Sequence, residues 1–62
     1  MYYTIHSTSN CRRVKALLPE GAKIIQENFS MNWFIIESAL EWDALREHYK
    51  GVAVVGIANQ EV

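Results

Sequence analysis

The chain has 62 residues, half of them apolar and 21% charged, a composition that makes one small folded domain spanning 1–62 with no room for a second core. Six Lys or Arg against seven Asp or Glu give a net charge of -1, which argues against strong non-specific binding to nucleic acid or to anionic membranes. The one cysteine, Cys11, excludes an internal disulfide, no apolar run reaches the ~20 residues of a membrane span, and Met1 to His6 lacks the pattern of a signal peptide, so a cytoplasmic protein is expected.

Tyr2 to His6 is short, aromatic and β-branched, and reads as a first strand. Ser7, Thr8, Ser9 and Asn10 are residues that cap helices. Cys11, Val14, Leu17 and Leu18 then recur at helical spacing, and Pro19-Glu20-Gly21 stops that helix. Ala22 to Phe29 reads as a second strand whose polar residues suit a sheet edge. Ser30, Met31 and Asn32 form a short connection into a third strand, Trp33 to Glu37. Ser38-Ala39-Leu40-Glu41 matches a capping box, and the helix it opens carries Trp42, Leu45 and Tyr49 before ending at Gly51. Val52 to Ala58 is a final strand, followed by a tail from Asn59 to Val62.

The order strand, helix, strand, strand, helix, strand predicts an α+β fold of the ferredoxin-like βαββαβ type. A four-stranded antiparallel sheet would carry both helices on one face, with the first and third strands central. The other face is then open. Side chains alternate along a strand, so Phe34 and Ile36 are expected inward, and Trp33 and Ile35 on the open face beside Glu37. Tyr3 and Ile5 are expected inward, with Tyr2, Thr4 and His6 outward. The fourth strand admits either parity, and Val55 and Ile57 are assigned here to the open face.

Exposed apolar patches on a small protein mark interaction sites. The residues expected to meet a partner are therefore Trp33, Ile35, Tyr2, Val55 and Ile57. A sheet edge is a second way of making contact. Ser9 and Asn10, with Arg12 and Arg13, offer an anion site of hydroxyl, amide and guanidinium groups; the bland alternative is a polar cap before a solvated basic face. The loop from Ser7 to Val14 resembles in position the metal-binding loop of heavy-metal-associated domains, which carry CxxC there. Thr8 stands where the first cysteine would be, so no metal site follows, and Cys11 reads as a small buried residue. His6 and His48 have no partner at ligand or catalytic spacing, so neither a catalytic residue nor a cofactor is expected.

Three functions compete. The first is a small stand-alone protein-binding module that covers a surface of a larger macromolecular partner and forms a homodimer. Chains of this size without a reaction motif are often accessory factors, including phage or mobile-element inhibitors of host systems such as anti-CRISPR proteins. The second is single-stranded nucleic-acid binding: Tyr2, His6 and Trp33 on central strands resemble the base-stacking aromatics of RNA-recognition motifs. Met31 to Ile36 lacks the basic and glycine positions of the third-strand motif in that family. The third, an enzyme, has no constellation to support it.

Overall fold

The structure is a computed structural model that describes residues 1–8 and 10–58. Its elements are β1 (Tyr2–Ser7), α1 (Cys11–Lys15), β2 (Lys23–Asn28), a 3-10 turn (Phe29–Met31), β3 (Trp33–Glu37), α2 (Trp42–His48) and β4 (Ala53–Ile57). They form an α+β arrangement of one open four-stranded sheet and two helices. The strand order is β2-β3-β1-β4, and every neighbouring pair is antiparallel. β1 and β3 are central, as the order of elements implies. Ser9 and the tail from Asn59 lie outside the described residues.

One cluster holds the fold together. Tyr3 and Ile5 of β1, Phe34 and Ile36 of β3, and Val55 of β4 are buried with Cys11 and Val14 of α1 and Leu45 and Tyr49 of α2. The strand residues share one parity in the register, since Tyr3 opposes Ile36 and Ile5 opposes both Phe34 and Val55. Both helices therefore pack on the same sheet face.

Local chemistry sets the boundaries. The Asn10 side chain accepts from the Arg12 amide at 2.9 Å and starts α1. That helix ends at Lys15 rather than reaching Leu18: the chain tightens, with the Leu17 amide donating to the Val14 carbonyl at 3.0 Å. Leu17 is consequently exposed, while Leu18 packs against the core. In the β2–β3 connection, Asn28 Oδ1 accepts from Ser30 Oγ at 2.8 Å, and Asn32 takes a left-handed φ of 61°. Ile24 opposes Ile36 while Gln26 opposes Ile35, so Ile25 is an unpaired bulge residue on β2.

The capping box does not form. Ser38 Oγ accepts from the Leu40 amide at 3.1 Å, within a turn, and α2 begins only at Trp42, with Glu41 as a cap that makes no side-chain bond. The sheet wins this competition. The Ser38 amide extends the β1–β3 ladder by donating to the Met1 carbonyl at 2.9 Å, and the Tyr3 hydroxyl donates to the Leu40 carbonyl at 2.7 Å. Residues 38–40 are thereby held against the sheet instead of winding into the helix.

Candidate interaction face

The register lays the helix-free face out in three rows. Asn28, Trp33, His6 and Val54 form the first, and Gln26, Ile35, Thr4 and Gly56 the second. In the third, Lys23 opposes Glu37 and Glu37 opposes Tyr2. Strands lie about 4.8 Å apart and same-face residues about 7 Å apart, so Ile35 in the middle row sits within one side chain's reach of Trp33 on one side and of Tyr2 on the other. All three are half-buried by their neighbours. The face is a mixed surface with an aromatic and aliphatic centre, a polar β2 side, and the opposite charges of Lys23 and Glu37 at one end.

Two of the expected contact residues are placed differently. Val55 is only 6% exposed and belongs to the core, because pairing with Ile5 turns it toward the helices. Ile57 shares its parity and opposes Tyr3 on the helix side, where the end of β4 leaves it 68% exposed. Val54, opposite His6 and 62% exposed, takes the open-face position. The ambiguity of an all-apolar strand hides this choice, which the register decides.

The β4 edge is obstructed, and the β2 edge is irregular. The outer groups of β4 belong to Ala53, Val55 and Ile57, since the Val52 carbonyl accepts from the Thr8 amide and the Ala58 amide donates to the Tyr2 carbonyl, both inward. The Ala53 amide donates to the Tyr49 carbonyl at 3.0 Å, and the Val55 carbonyl accepts from Trp42 Nε1 at 2.9 Å. A partner strand pairing there would have to break both bonds. On β2 the register shifts at Ile25, and Glu27 makes an exposed ion pair with Lys15 of α1 at 3.4 Å. The role of Trp42 as an edge cover was not legible at helical spacing, which reads it as a core residue.

The Asn10 side chain serves its own helix, and Thr8 Oγ1 donates to the Val52 carbonyl at 3.0 Å. Arg12 and Arg13 are exposed on α1, and Ser9 lies outside the described residues. Cys11 is buried; desolvation, helped by the Glu27 carboxylate and opposed by Lys15, pushes its thiol above the ordinary range. That makes it a packing residue and a poor nucleophile. Among the described residues no three His, Cys, Asp or Glu side chains gather as a metal site, and no helix is long and apolar enough to cross a membrane. His48 donates from Nε2 to the Leu17 carbonyl and stands edge-on to Tyr49 at 4.9 Å, so it ties α2 to the end of α1.

No family model matches the chain, and no curated protein or solved structure does.

Proposed function

We propose that this protein is a binding module that acts by contact, docking the helix-free face of its sheet on a larger macromolecular partner. The observation that carries the reading is the placement of Tyr2, Trp33, Ile35 and Val54 on one face that no described element covers, while the β4 edge is obstructed. The protein is also read as a homodimer through the same face, so a second copy and the larger partner are alternative occupants of it. We read the sheet order with two helices on one face as ferredoxin-like, an architecture that leaves such a face free. The functional class we assign is that of small inhibitors made by phages or mobile elements against host systems, anti-CRISPR proteins among them. Small size and the lack of a reaction motif support that class. The lone, buried Cys11 supports a cytoplasmic setting.

Light scattering across a concentration series tests self-association. The reading expects a dimer that Trp33→Glu and Val54→Glu convert to folded monomer. A wild-type monomer at every concentration would remove the homodimer.

A second reading, single-stranded nucleic-acid binding, is favoured by Tyr2, His6 and Trp33 sharing the open face of the two central strands. Lys23 and Glu37 oppose one another there and offer phosphate no net attraction. A salt-sensitive shift of a labelled oligonucleotide, lost in Trp33→Glu, would support this reading over the first.

A further inference from the structure

A groove runs between α2 and the outer edge of β4, meeting the open face at Val54. It has a volume of about 430 Å³, and Trp42, Arg46, Lys50, Val54 and Val55 line it. Positions 42, 46 and 50 recur every four residues along one stripe of α2 and its C-terminal end, while Leu45 and Tyr49 take the core stripe. Asp43 and Glu47 fall on a different stripe, and no acidic side chain among the described residues lines the groove. The Arg46 guanidinium lies 4.6 Å from the centre of the Trp42 ring, which holds a long cationic side chain at the groove wall. Neither Arg46 nor Lys50 has a salt-bridge partner among the described residues. Trp42 is 37% exposed and Val54 more so. The groove therefore offers two unpaired cations, one aromatic wall and an apolar rim.

We propose that this groove binds an acidic segment of a partner protein, with carboxylates on Arg46 and Lys50 and an apolar side chain against Trp42 and Val54. Charge complementarity selects the occupant: the cations attract carboxylates, and the walls between them accept an aliphatic group. The segment is held by side chains and not by strand addition, because the Val55 carbonyl is already taken by Trp42. Arg46 near the end of α2 also suits the helix dipole, but that role requires neither the stacked indole nor the apolar rim.

The test is an amide-shift titration of the isotope-labelled protein with a short acetylated peptide alternating glutamate and valine. Shifts are expected at Trp42, Arg46, Lys50 and 53–55. Arg46→Ala combined with Lys50→Ala should weaken binding about tenfold, as should raised salt. Trp33→Glu should leave it unchanged, which separates this groove from the open-face reading. A peptide with lysine for glutamate should cause no shift. Equal binding of the lysine peptide, insensitivity to the double variant, or no shift at millimolar peptide would overturn the proposal. Stronger shifts at the same residues with a short oligonucleotide would also overturn it, in favour of phosphate recognition.

Discussion

Trp42 Nε1 donates to the Val55 carbonyl at 2.9 Å, so a side chain from α2 occupies an outward acceptor of an edge strand. An edge strand left bare is a template for pairing with another chain. The indole closes that template and at the same time forms the wall of the adjoining groove. Trp42→Phe removes the donor but keeps most of the ring. The expected loss is about 1 kcal/mol in urea unfolding, with stronger self-association as the edge opens. An unchanged unfolding midpoint and unchanged light scattering would show that the bond neither stabilises the fold nor guards the edge.

Tyr49 is fully buried, and its hydroxyl finds no hydrogen-bond partner among the described residues. Burial pushes its pKa up to about 12 from an ordinary 10. The folded state thus keeps its proton where the unfolded chain has lost it. This contribution is intact below pH 10 and declines as pH rises from 10 through 12, by on the order of 2 kcal/mol. Tyr49→Phe should flatten the alkaline limb of a stability–pH profile. It should also raise stability at neutral pH by about 1 kcal/mol, because an unpartnered hydroxyl leaves the core. A profile that Tyr49→Phe leaves unchanged would assign the alkaline loss to other groups.

Two glycines make opposite predictions. Gly51 has a φ of +83° after α2, so Gly51→Ala should cost about 1 kcal/mol although nothing crowds the added carbon. Gly56 has no such φ, and a Cβ there would meet only the Thr4 carbonyl oxygen at 4.0 Å. Gly56→Ala should therefore stabilise the sheet by about 0.5 kcal/mol. Chemical denaturation of both variants checks the contrast. If Gly56→Ala is stable but fails to bind a partner, close approach to the second row of the open face is the reason for the glycine.

Much of the architecture was legible in the order and periodicity of short segments. The parity of β1 and β3 was readable because each has one face with a polar residue that settles the choice: Thr4 and His6 in one, Glu37 in the other. β4 has no such residue at Val52 to Val55, so only the register with β1 could place Val55 inward and Val54 outward. The capping box at Ser38 failed for a non-local reason, since Met1 and Tyr3 hold residues 38–40 to the sheet. The same limit hid the edge-covering role of Trp42, which depends on a carbonyl 13 residues away in sequence. On the open face, Trp33, Ile35 and Tyr2 lie where alternation puts them. The Asn10 side chain caps α1, a use that the residue types alone do not distinguish from ligand binding.

The most direct test of contact through the open face is quantitative co-purification from the native host of tagged wild type, Trp33→Glu, Val54→Glu, and an Arg12→Ala, Arg13→Ala control. Circular dichroism and thermal melting would confirm that each variant is folded. The account predicts that the open-face variants lose the bound protein, copies of the chain itself included, while the α1 control retains it. Folded Trp33→Glu and Val54→Glu proteins that keep every associated protein at wild-type levels would contradict it.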